Sequence, residues 1–228
     1  MATTSRAITR LLPPVAPRLP AATVEWDHRF MEQHSNILRL YFNTVDTTFG
    51  GLLGSPSNGT GNTPGGAFLN YPYAAVQRTT NLTFTANTAT LVTLDQNDYV
   101  NACTNTGTDG IVVDVAGIYN YQFSVQWANT DTQIHAAYIW LRINGVDVPG
   151  TASRFDVPSK HGTSDGYLIS AANFYVSLNA GQHVDLYAAV DNAGVYMEAY
   201  PAQVSPWAMP SIPSVVATLT FVSTQKTT

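Results

Sequence analysis

The chain has 228 residues, 45% of them apolar, with a mean hydropathy of -0.02, so it is long and apolar enough for a globular protein with a buried core. Only 11% of residues are charged, 10 basic and 15 acidic, under half the usual ~25%, which excludes a nucleic-acid grip built on a dense Lys/Arg surface. A single cysteine, Cys103, excludes an intrachain disulfide framework and a Cys-rich zinc site.

Charge is uneven along the chain. Residues 1–39 hold five arginines against three acids, and the remainder holds five bases against twelve acids. Residues 1–22 carry Arg6, Arg10 and Arg18, four prolines and no acid. That composition favours an extended arm lying along another subunit. Prolines at 13, 14, 17 and 20 break any apolar run there, so no cleaved secretion signal is expected. No stretch of about 18 apolar residues occurs, so no membrane span is expected either.

Residues 23–54 read as a helix. Thr23 can cap it, Glu25 and Asp27 fall in the first turn, and Gly50-Gly51 can end it. At about 100° per residue, Trp26, Phe30, Ile37, Leu40, Tyr41 and Val45 share one face, with Met31, Leu38 and Phe42 widening it. The apolar arc is wider than one docking surface needs. This assigns Arg6, Arg10, Arg18, Trp26, Phe30, Ile37, Leu38, Tyr41 and Phe42 to partner anchoring.

Residues 55–78 form a joint: Ser55 to Gly66 consists of Ser, Pro, Asn, Gly and Thr alone, and an apolar lead-in follows around Pro72. From 79 to 228 the pattern is β. Period-two alternation runs through Tyr119, Tyr121, Phe123, Val125 and Trp127, again at Tyr138 and Trp140, and again from Val184 to Val190. Asn144-Gly145 between Ile143 and Val146 predicts a type I′ hairpin. Eight to ten strands without helical interruption predict a mainly β protein, an antiparallel sandwich or jelly roll. Aromatic alternation in excess of one sandwich interior makes Tyr119, Tyr121, Trp127 and Trp140 candidates for a subunit interface.

Little points to catalysis. His28 and His34 lie six apart and cannot form a zincin pair, and neither a phosphate loop with lysine nor Gly-x-Gly-x-x-Gly occurs. Asp109, Asp131, Asp156, Asp165 and Asp191 are scattered singly, without the density of a calcium loop. No enzyme activity, cofactor or metal is expected.

The run Gly117-Ile118-Tyr119-Asn120-Tyr121-Gln122-Phe123, followed by Leu141-Arg142-Ile143-Asn144-Gly145 and Val176 to Leu186, resembles the tumour necrosis factor and complement-type globular head superfamily. The resemblance implies a ten-stranded jelly roll that forms homotrimers, which makes the interface of Tyr119, Tyr121, Trp127 and Trp140 a trimer interface. Leu38 to Asn43, Gly66 to Tyr73 and Ser159-Lys160-His161-Gly162 are similar to virion-associated proteins of tailed bacteriophages. That resemblance implies a structural virion protein assembled in the host cytoplasm. With the basic arm and wide apolar helix suited to an anchor and the acidic head to an outer surface, the expectation is a trimeric cement or decoration protein on the major capsid protein or another virion protein. The alternative is a head or tail fibre tip binding host surface glycans.

Overall fold

The computed structural model describes residues 17–19, 27–53, 71–107 and 110–223, with helix side chains as far as Asp46. Arg6, Arg10, Trp26 and the joint from Ser55 to Gly66 lie outside the described residues. Two compact units divide the chain near Tyr71.

The first unit contains helix α1, His28–Leu53. Its cap is Asp27 rather than Thr23, because Asp27 Oδ1 accepts the Arg29 amide at 2.9 Å and satisfies a donor that the first turn leaves open. The glycine pair does not end it. Glycine costs a helix interior only about 1 kcal/mol relative to alanine, and α1 continues through Gly50-Gly51 to Leu53.

Fourteen strands make up the described part of the second unit. In chain order they are β1 (Tyr73–Arg78), β2 (Leu82–Thr83), β3 (Thr90–Leu91), β4 (Gln96–Asn101), β5 (Cys103–Asn105), β6 (Ile111–Val113) and β7 (Gly117–Asn129). They continue as β8 (His135–Ile143), β9 (Val146–Asp147), β10 (Ser153–Val157), β11 (Gly166–Leu178), β12 (His183–Val190), β13 (Val195–Met197) and β14 (Val215–Ser223). The number exceeds the expected eight to ten because several are only two or three residues long. The head also starts earlier than residue 79, since β1 lies within the predicted lead-in.

All pairings are antiparallel. In the first sheet β4, β1, β14 and β7 are successive neighbours, β13 continues along β7 beyond β14, β2 pairs β13, and β11 covers the other edge of β7. The second sheet runs β10, β8, β12, β6, β5, with β3 on β12 and β9 on β8. From β7 the chain passes to β8 and β10 in the second sheet, returns to β11, crosses to β12 and returns to β14. This repeated exchange between two antiparallel sheets is a jelly-roll sandwich.

The core follows from the period of two. Tyr119, Tyr121, Phe123, Val125 and Trp127 on β7 point inward and are buried. They meet Ile139 and Leu141 of β8, Leu186 and Val190 of β12, and Ala217 and Leu219 of β14 in one cluster. Tyr119, Tyr121 and Trp127 therefore supply the interior of one sandwich and are not presented to another subunit: each is at most 1% exposed. The sandwich uses more aromatic volume than the sequence reading allowed.

Asn144 and Gly145 both adopt positive φ, 49° and 79°, as a type I′ turn requires, and pair Ile143 with Val146. Among the described residues no helix is long and apolar enough to cross a membrane.

Candidate functional site

On α1, Phe30, Ile37, Leu38 and Tyr41 are half-buried, whereas Phe42 is 57% exposed and Leu40, which shares the main apolar face, is 63% exposed. Pro17 lines a shallow groove with Ile37, Leu40, Tyr41 and Thr44. Arg18 is exposed. The helix thus keeps uncovered apolar surface on the side where the amphipathic pattern is strongest.

On the head, the outer face of the first sheet is uncharged over its central rows. Asn120, Gln122 and Ser124 of β7 stand beside Asn173 and Tyr175 of β11, Thr218 and Thr220 of β14, and Tyr73 and Ala75 of β1. Tyr99 on β4 pairs with Ala75. Tyr175 and Tyr99 are 67% and 71% exposed. Amides and hydroxyls with exposed aromatic rings at both margins give the central rows a low desolvation cost, and the Asp98 carboxylate, which accepts from Gln77 at 2.7 Å, lies at the β4 margin.

The same face ends differently at the start of β11. Tyr167 and Ile169 project beside Gln126, and with Tyr200 and Glu198 they line a recess. The Tyr167 and Tyr200 ring centres lie 6.4 Å apart at 59°. The Tyr196 hydroxyl donates to Glu198 Oε1 at 3.0 Å and approaches Asp165 Oδ2 at 3.4 Å. Burial first, then the Glu198 carboxylate, pushes the Tyr196 and Tyr200 hydroxyls far above the ordinary phenol range. Glu198 is the only glutamate after residue 32, a signal present in the sequence whose place the sequence alone does not give.

The remaining segment beside this recess, residues 199–214, leaves and rejoins the sheet through bridges Tyr200 to Ile212 and Gln203 to Met209. Its outer part carries Val204 and Trp207, 89% and 64% exposed.

On the opposite sheet Trp140 is half-buried and already occupied. Its ring lies 6.1 Å from Tyr187, the Arg142 guanidinium sits 4.0 Å from the Tyr187 ring centre, and Asp147 Oδ1 accepts from both Trp140 Nε1 and Arg142 Nε at 2.6 Å. This is a self-satisfied stack across β8 and β12.

Two of the scattered acids are brought together. Asp131 Oδ2 lies 3.2 Å from His135 Nε2 and Asp191 Oδ1 lies 3.3 Å from His135 Nδ1. Asp156 pairs instead with Arg154 at 2.9 Å, and Asp109 lies outside the described residues. Among the described residues no cluster of three His, Cys, Asp or Glu side chains is arranged to hold a metal.

Gly162-Thr163-Ser164-Asp165-Gly166 has the spacing of a nucleophile elbow. Its surroundings are wrong for one. His161 and Ser164 exchange backbone hydrogen bonds at 2.9 and 3.1 Å, and the turn leads into strand β11 rather than a helix.

No family model matches the sequence, and no curated protein matches it. Among solved structures, the chain is similar to the Eiger TNF of S. frugiperda, with a TM-score of 0.46 and 10% identity over 69% of this chain and 96% of that one. It is also similar to the globular domain of the zebrafish complement 1qA protein, with a TM-score of 0.40 and 11% identity over 68% and 99% of the two chains.

Proposed function

We propose that this chain is a non-enzymatic structural protein of a tailed-bacteriophage virion: a homotrimeric cement or decoration protein that sits on the capsid surface and stabilises the head. The observation that carries the reading is α1, which leaves Met31, Leu40 and Phe42 exposed along an amphipathic helix, in a unit separate from the head. In this reading the helix, together with the Arg-bearing residues 1–22, holds the major capsid protein. Trimer contact falls to the uncharged outer face with Tyr73, Tyr99 and Tyr175, in place of Tyr119, Tyr121 and Trp127.

The test is incorporation into particles. Replacing Phe30 and Ile37 together by Ala leaves the head's melting temperature unchanged and removes the protein from purified particles. A double variant that still decorates particles at wild-type copy number overturns the anchor.

A second reading, a fibre tip that binds host surface glycans, is favoured by the exposed Trp207 on the 199–214 excursion, since an exposed indole offers a stacking face to a sugar ring. Copy number separates the two: hundreds per particle for cement, against roughly 3 to 18 for a tip of three-fold symmetric spikes.

A further inference from the structure

We propose that the recess between Tyr167 and Tyr200 binds an organic cation, the guanidinium or alkylammonium end of a side chain from a partner protein. This inference is independent of the particle assignment.

The first support is a carboxylate without a cation partner. Glu198 lines the recess, and its partners are neutral hydroxyls: Oε1 accepts from Tyr196 at 3.0 Å, and the Tyr200 hydroxyl also bonds the carboxylate. Among the described residues no basic side chain pairs with it: Arg142 and Arg154 are engaged by Asp147 and Asp156, and Arg78 donates to Thr93 and to the Asn81 carbonyl. A carboxylate whose partners are hydroxyls alone keeps its negative charge, and that charge attracts a cation entering the recess.

The second support is the wall chemistry. Two tyrosine rings inclined at 59° flank the opening, and Tyr167 is 53% exposed. Ring faces attract a cation and exclude water from it. Asp165, reached through the Tyr196 hydroxyl, adds negative potential without closing the recess. A neutral ligand of the same shape gains neither the carboxylate nor the ring-face attraction.

The test uses the full chain with two small probes: propylguanidinium and its neutral isostere N-propylurea. Ring resonances of Tyr167, Tyr196 and Tyr200 are followed by NMR as each probe is added. Saturable shifts with propylguanidinium and none with N-propylurea are expected, and Glu198→Gln weakens the binding at least about tenfold. Tyr167→Leu removes an exposed ring, so it keeps the fold and tests the wall independently should Glu198→Gln fail to fold. It also weakens the binding of propylguanidinium. Equal response to the two probes, no saturable shift with propylguanidinium, or unchanged affinity in a folded Glu198→Gln or Tyr167→Leu variant overturns the proposal.

Discussion

The indole of Trp127 donates to Ser170 Oγ at 2.7 Å, reaching from β7 to β11 through the interior of the sandwich. Both side chains are buried, 1% and 2% exposed, so neither can turn to water. The bond therefore ties the largest core side chain to the ladder that also carries Tyr167 and Ile169.

Removing the acceptor is predicted to cost more than the bond itself is worth. Ser170→Ala strands a buried N–H, for a loss of about 1–3 kcal/mol. Trp127→Ala opens a large cavity, for about 3–5 kcal/mol. Urea titration of both variants measures this. A Ser170→Ala protein as stable as wild type contradicts the role assigned to the bond.

The proposed trimer is predicted to depend on the outer face rather than on the aromatics of β7. Replacing Tyr99 and Tyr175 by Ser lowers the sedimentation coefficient at micromolar concentration and leaves the melting temperature of the dissociated protein near wild type, because both rings are mostly exposed in the single chain. A fragment starting at residue 79 is the wrong probe for this. It lacks β1, which stands between β4 and β14, and its failure would report a broken sheet.

Much of the head was legible from its alternation. The pattern from Tyr119 to Trp127 lies within β7, Tyr138 to Ile143 within β8, and Val184 to Val190 within β12. The inward face of β7 was also legible as a set, but alternation says only that residues share a side. Whether that side meets the second sheet or another subunit is decided by sheet pairing, a long-range property, and so Tyr119, Tyr121 and Trp127 were misassigned. β4 was illegible for another reason: Gln96-Asn97-Asp98-Tyr99-Val100-Asn101 is exposed at nearly every position, so no burial imposed a pattern on it. The Tyr167, Glu198 and Tyr200 recess joins residues more than thirty apart in the chain, and no local spacing announces it.

Acid is predicted to loosen the loops at the start of β8. The His135 side chain first, then the Gln133 amide, hold the Asp131 carboxyl below its usual range. A carboxylate whose folded pKa is depressed contributes stability that is fully present above its unfolded pKa. That contribution is lost as pH falls through the lower folded value. Asp131→Asn therefore flattens the acid limb of a stability curve measured between neutral and strongly acidic pH. A curve superimposable on wild type below the ordinary carboxylate range refutes the linkage.

The Cys103 thiol is predicted to be inert in the folded head. It is 6% exposed, and desolvation, with Asp114 second, pushes it up to about 12. The thiolate is the reactive form, so alkylation by iodoacetamide at mildly alkaline pH tracks global unfolding. Rapid labelling under native conditions contradicts this placement.

The position of β14 has a consequence for how the head is made. The last described strand of the head fills a central slot, flanked by β1 on one side and β7 on the other, with Tyr73 opposite Thr220. Until residues 215–223 have left the ribosome, β1 with β4 and β7 with β11 are two separate half-sheets, each with an open edge. Pairing so distant in sequence is slow to form, and open edges in the interval recruit other chains. A stop codon a few residues before Val215 would thus yield an aggregating product rather than a slightly shortened head.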